Sequence, residues 1–102
     1  MSRLESEFQK EVLTYLKAHK IWHYRTQMGT QSGLPDIIAC VHGLFVGLEL
    51  KRPDGKGKLT LQQEKVIKDI KATGGFAWSI SDMEQLKALL DFIEEQWSRH
   101  CG

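Results

Sequence analysis

Apolar side chains recur every three or four residues in three stretches of the chain, which is the spacing of amphipathic helices. The stretches are residues 3–19, 60–73 and 82–97. Each begins with Ser or Thr followed three residues later by Glu or Gln, the capping-box pattern: Ser2 with Glu5, Thr60 with Gln63, and Ser81 with Glu84. The pattern predicts three helices.

Four shorter segments have the apolar content and alternation of strands, namely residues 21–25, Asp36–Val41, Leu44–Lys51 and 76–80. The second and third are separated only by His42-Gly43, which suits a two-residue type I′ turn, and they are predicted to form a hairpin. The resulting order, α-β-β-β-α-β-α, predicts an α/β (α+β) fold with a small mixed sheet flanked by helices.

The composition is that of a soluble globular protein, with 102 residues, 41% hydrophobic and 26% charged. We expect one domain over residues 1–102 and a cytoplasmic location. No apolar run approaches the roughly 20 residues of a membrane span, and the N-terminus lacks the apolar core of a signal peptide. Cys40 lies in an apolar run and is expected to be a small buried side chain.

Charge is unevenly distributed along the chain. Residues 51–71 carry seven lysines and arginines against three acids, whereas residues 82–102 carry two basic residues against five acids. A basic middle segment is a weak indication of a polyanionic partner. An ordinary solvated helix surface explains the same distribution equally well.

Three charges interrupt the otherwise apolar hairpin sequence GLPDIIACVHGLFVGLELK, residues 33–51. If His42-Gly43 forms the turn, Asp36 lies opposite Glu49, with Cβ atoms roughly 4.5–5.5 Å apart. Strand alternation places Lys51 on the same face as Glu49. Two carboxylates and one amine are therefore predicted to converge at the open end of the hairpin.

Three explanations fit that convergence. Lys51 neutralises both acids in a salt-bridged trio, or the acids hold a structural cation. Alternatively the carboxylates hold a catalytic divalent metal such as Mg²⁺ while the lysine faces a substrate. A structural calcium site is the least favoured, because the sequence has no oxygen-rich ligand loop.

The segments GLPDII, GLFVGLELK, ESEFQ and GKLTLQQ followed by GG resemble the VRR-NUC family of the PD-(D/E)XK nuclease superfamily. The similarity extends over about residues 5–80. It implies a restriction-endonuclease-like core and a metal-dependent, structure-selective DNA endonuclease, similar to Holliday-junction resolvases. The family includes small stand-alone phage proteins, so a phage origin with action in the host cytoplasm is a further expectation.

The resemblance also implies roles for individual residues. Asp36, Glu49 and the backbone carbonyl of Leu50 are expected to bind Mg²⁺ or Mn²⁺. Lys51 is expected to orient or activate the attacking water and to stabilise charge in the transition state.

The family uses a glutamate from its first helix, for which the sequence offers Glu5, Glu7 and Glu11. On a helical wheel Glu5 falls within the apolar sector, Glu7 points away and Glu11 lies at the border. The family spacing, three residues before the aromatic Phe8, also selects Glu5. We expect Glu5 at the active site and as a metal ligand, although the capping box with Ser2 explains it as well.

Gln63 is expected at the active site by the same resemblance, and it has the same alternative explanation, the capping box with Thr60. The candidates for DNA contacts are polar residues on the flanking loops and strand ends. They are Arg25, Gln27, Lys56 and Lys58.

The expected partner is branched DNA, bound by a homodimer. Symmetric cleavage of a four-way junction requires two sites at a fixed spacing, and a twofold dimer supplies them. The alternatives are a non-catalytic DNA-binding module with the same fold, or a structural domain with a salt-bridged trio. Trp22, Trp78 and Trp97 are expected in the core or an interface rather than as base-stacking platforms.

Overall fold

The structure, a computed structural model, describes residues 3–26, 33–52 and 58–101. Its elements are α1 (Arg3–Ala18), β1 (Trp22–Arg25), β2 (Ile37–Val41), β3 (Leu44–Leu50), α2 (Leu61–Ala72), β4 (Phe76–Ile80) and α3 (Met83–Cys101). The predicted element order is confirmed, and with it the fold class. None of these helices combines the length and apolar character needed to cross a membrane.

The described strands form a mixed sheet in the order β1-β2-β3-β4. Strand β2 is antiparallel to both β1 and β3, and β4 runs parallel to β3. The turn residues His42 and Gly43 have φ values of 52° and 80°. Positive φ at both central positions is the requirement of a type I′ turn, and it fixes the predicted register, in which Ile37 pairs with Leu48.

The main core lies between one face of the sheet and helices α1 and α3. The buried residues of this core alternate along the strands and recur at helical spacing along the helices. They are Phe8, Val12, Leu16, Ile37, Ala39, Val41, Val46, Leu48, Leu50, Ile80, Leu86, Leu89 and Ile93.

Helix α2 packs on the opposite face, over strands β3 and β4. Its Ile70 side chain lies against β3 at Gly47, and none of its residues is fully buried. The part of this face formed by β1 and β2 is not covered in the same way, and Cys40 on β2 is exposed. The expectation that Cys40 is buried is therefore wrong, because alternation places it on the face that α2 packs against, in the part that α2 does not cover.

The helix ends differ from the prediction at α3. The predicted capping box of Thr60 and Gln63 is present at the start of α2. At α3, however, the Asp82 carboxylate accepts the backbone N–H of Gln85, three residues further on, at 2.8 Å, so the cap lies one residue later than predicted. The helix also continues past Trp97, with an ion pair between Arg99 and Glu95 at 2.6 Å on its polar last turns.

Candidate active site

Asp36 is held at the end of β2 by contacts from three directions. The Thr26 N–H donates to the Asp36 carbonyl at 3.0 Å, and the Thr26 hydroxyl donates to the Pro35 carbonyl at 2.6 Å. Pro35 packs directly on β3, where a Cβ added to Gly47 would lie 2.8 Å from the Pro35 ring. The Asp36 carboxylate then accepts the backbone N–H of Leu50 at 2.8 Å. Sequence reasoning did not find the role of Thr26.

Glu49 is the buried member of the predicted acid pair, only 3% exposed. Burial, the negative charge of Asp36 and a hydrogen bond to Asp36 raise the pKa of the Glu49 carboxyl from its usual 4.5 to about 8. The positive charge of Lys51 lowers the pKa of Glu49, but by less than the other effects raise it. The two carboxyl groups are therefore adjacent, as the hairpin register predicted.

Lys51 follows Glu49 on the same side of β3, with its Nζ 4.0 Å from the Glu49 Oε1. Its closer partners are neutral oxygens. Nζ donates to the Gln63 side-chain oxygen and to the Lys58 carbonyl, both at 3.2 Å. Only 16% of the Lys51 side chain is exposed, so its amine is held in one place.

Gln63 takes part both in the helix cap and in the cluster of charged groups. Its side-chain oxygen accepts the Thr60 N–H at 2.9 Å as well as the Lys51 amine, and its amide nitrogen donates to the Glu49 Oε1 at 3.1 Å. Gln63 therefore closes the predicted capping box and also contacts the candidate site residues Glu49 and Lys51, while its role at an active site stays a prediction.

Of the three acids of the first helix, Glu5 is the one whose charge acts on Glu49 and raises its pKa. Glu5 is half-buried, whereas Glu7 and Glu11 are exposed. The structure therefore places Glu5 nearer the acid pair than its two alternatives. The capping partner Ser2 lies outside the described residues.

The predicted DNA contacts are only partly described. Lys58 is exposed beside Lys51, to which it offers its carbonyl. Arg25 is exposed and pairs with Ile37, so it extends from the opposite sheet face to Asp36. Gln27 and Lys56 lie outside the described residues.

The site contains hard oxygen donors but no dense ligand cluster. Among residues 3–26, 33–52 and 58–101, no group of three or more His, Cys, Asp or Glu side chains is arranged to hold a metal ion. The pair formed by Asp36 and Glu49 fits Mg²⁺ nonetheless, since Mg²⁺ is commonly bound through one or two carboxylates and keeps several waters. A divalent cation bound between the two carboxylates would offset the charge of Asp36, which contributes to the raised pKa of Glu49.

Two solved structures share the architecture. One, described as a VRR_NUC domain, aligns with a TM-score of 0.75 over 88% of this chain and 97% of its own length, at 19% identity. The other, described as a VRR_NUC domain protein, aligns with a TM-score of 0.70 over 93% and 88%, also at 19% identity. The chain has the fold of VRR_NUC domains. This nuclease-like fold agrees with the sequence resemblance, although no family model matches the sequence and none of the curated proteins matches it significantly.

Proposed function

We propose that the chain is a divalent-metal-dependent nuclease that hydrolyses phosphodiester bonds in DNA. The observation that carries this proposal is the convergence of Asp36, Glu49 and Lys51 at the end of one β-hairpin, in the fold of VRR_NUC domains. The ordered sequence segments that resemble the VRR-NUC family contain these same residues.

The residues that would hold the metal are Asp36 and Glu49, with the Leu50 carbonyl as a further ligand and Glu5 as an additional acid nearby. A bound Mg²⁺ or Mn²⁺ supplies a water of lowered pKa and polarises the scissile phosphate. Asp36 is restrained for this role by the Leu50 N–H, and Glu49 by the Gln63 amide.

Lys51 supplies the positive charge that the transition state requires. Its amine is anchored by Gln63 and by the Lys58 carbonyl, so little reorganisation is needed when negative charge develops on the phosphate. Gln63 acts as a positioning residue, because it contacts both Glu49 and Lys51.

The competing explanation, a structural salt-bridged trio, has weaker support. In such a trio the charge of Lys51 would offset burial and the charge of Asp36, and the pKa of Glu49 would not rise above its usual value. The pKa is instead raised to about 8, and the Lys51 amine is nearer to Gln63 than to Glu49.

The finer proposal is an endonuclease for branched DNA that acts as a homodimer, as Holliday-junction resolvases do. Lys58 would contact phosphates beside the site, and Arg25 would do so from the end of β1. Gln27 and Lys56, which lie outside the described residues, are proposed as further phosphate contacts. Two copies related by a twofold axis would cut two strands symmetrically.

A panel of four-way junction, flap, nicked and linear DNA, incubated with Mg²⁺ or Mn²⁺ over a range of concentrations and pH, tests the proposal. The oligomeric state of the protein is measured in parallel by sedimentation. We expect metal-dependent cleavage that Glu49→Gln abolishes while DNA binding is retained. If the wild type binds these substrates and cleaves none, the non-catalytic DNA-binding module is the better description.

A further inference from the structure

Glu49 lies on the sheet face against which α2 packs. The part of this face that α2 does not cover presents exposed aromatic side chains. Trp22 and Tyr24 on β1 are 62% and 52% exposed, and Phe45 on β3 is 45% exposed. Between them lie Cys40, which pairs with Trp22 and with Phe45, and Ile38, which pairs with Tyr24. Residues paired across neighbouring strands point to the same face, so these five form one surface, the aromatic platform.

The aromatic platform is continuous with the candidate active site. Thr26 pairs with Asp36 at the end of the β1–β2 ladder, and Tyr24 and Trp22 precede Thr26 by two and four residues. At about 3.3 Å per residue, they lie about 6.6 and 13 Å along the strand from the row that contains Asp36. A strand of DNA whose phosphate lies at Asp36 can therefore extend its neighbouring nucleotides over Tyr24 and Trp22.

The chemistry of the aromatic platform suits a nucleic acid. None of its five residues is charged, and the exposed cation Lys20 lies two residues before the start of β1. Aromatic side chains bind bases by stacking, which is worth about tenfold or more in affinity per base and tolerates any base. Side chains on a sheet face reach the flat side of a base only when that base is unpaired.

We propose that the aromatic platform stacks unpaired DNA bases beside the bond that the active site cleaves. Trp22 and Tyr24 then select substrates that have single-stranded nucleotides next to the cut, as at a flap, a gap or an opened junction. The selection of cleavage substrates rests on the proposed nuclease function, whereas the stacking itself does not. Trp22 thus takes the role that sequence reasoning had set aside in favour of the core or an interface.

Tryptophan fluorescence in EDTA tests the stacking without cleavage. The matched variants are Trp22→Leu and Trp78→Leu, because Trp78 is also exposed, at 41%, but lies on the opposite face beside Phe92. We expect an oligothymidylate to quench the wild type and Trp78→Leu, and to quench Trp22→Leu much less. An abasic oligonucleotide of the same length is expected to leave all three unquenched. Equal quenching by the abasic chain would overturn the proposal.

A comparison of cleavage on substrates with and without single-stranded nucleotides tests the substrate selection. Trp22→Leu and Tyr24→Leu are expected to lower cleavage of flap and gap substrates about tenfold and to leave continuous duplex unchanged. An equal loss on all substrates overturns the selection. If the wild type cleaves nothing yet oligothymidylate quenches Trp22, the nuclease proposal fails while stacking stands. If Trp22→Leu instead converts a dimer to a monomer in sedimentation, the aromatic platform is an interface between copies and the proposal is wrong.

Discussion

Gln63 joins the start of helix α2 to Glu49 by a hydrogen bond of 3.1 Å from its side-chain amide. The same side chain closes the capping box with Thr60 and accepts the Lys51 amine. Gln63 therefore fixes the positions of Glu49 and Lys51 relative to the first turn of α2.

Replacing Gln63 by Ala is expected to lower kcat about 10–100-fold, the usual cost of losing a residue that orients metal-binding or catalytic groups. It also removes half of the capping box, at a cost of about 1 kcal/mol in the free energy of unfolding. Both are measurable, by single-turnover cleavage and by thermal denaturation.

Thr60→Ala is the matched control for the cap. It removes the hydroxyl that accepts the Gln63 N–H at 3.1 Å but leaves the Gln63 side chain in place. We expect a similar stability loss with cleavage retained. Equal loss of cleavage in Gln63→Ala and Thr60→Ala would mean that Gln63 acts only through the helix cap.

Lys51→Met is expected to lower kcat about 10²–10³-fold, because it removes a fixed charge aimed at the transition state while retaining much of the side-chain volume. Lys65→Met is the control on α2, since Lys65 is exposed and pairs only with Asp69 among the contacts described here. Cleavage by Lys51→Met at the rate of Lys65→Met would contradict the assignment.

The positions of Asp36, Glu49 and Lys51 were predictable because one short turn fixes the register of a hairpin, and the alternation of side chains then decides which residues meet. The same alternation does not say how much of the second sheet face a helix will cover. Helix α2 crosses β3 and β4, which leaves Cys40 and Trp22 exposed, and this depends on tertiary packing rather than on local pattern. The sequence named both a cap and a site contact for Gln63 but did not show that one side chain makes both contacts, since the two motifs use the same residue spacing.

The metal-free protein is expected to lose stability as the pH rises. The folded state holds the Glu49 proton more strongly than the unfolded chain, because the pKa is raised from 4.5 to about 8. This contribution is fully present below pH 4.5 and declines until the pH passes about 8. Thermal denaturation in EDTA across this range measures it.

Glu49→Gln provides the comparison, since glutamine resembles the neutral acid at every pH. The difference in Tm between wild type and Glu49→Gln is expected to move in favour of the variant as the pH rises. A difference that does not change with pH would contradict the predicted shift.

Mg²⁺ is expected to stabilise the wild type, by roughly 2.7 kcal/mol at a concentration one hundred times the dissociation constant. The gain should be larger above about pH 8, where the Glu49 carboxyl is ionised and available as a ligand. Glu49→Gln should lose most of the gain. A wild type whose Tm is unaffected by Mg²⁺ or Mn²⁺ at any pH would contradict the metal site.

The variant Glu5→Gln distinguishes an active-site role of Glu5 from a role in capping the first helix. Glutamine at the third position of a capping box can serve as well as glutamate, so the stability of α1 should be retained. Burial and Asp36 raise the pKa of Glu49 most, and the smaller contribution from the Glu5 charge is lost in this variant, so that pKa should fall slightly. We expect cleavage to decrease at least about tenfold, as for other residues that support a metal site.

Glu7→Gln is the control for this variant, because Glu7 is exposed on the same helix. Single-turnover rates at saturating Mg²⁺, together with Tm values, separate the outcomes. Loss of cleavage with an unchanged Tm in Glu5→Gln alone would assign Glu5 to the active site. If Glu5→Gln cleaves DNA as fast as Glu7→Gln, Glu5 has no role in the reaction. The metal would then be held without an acid from the first helix.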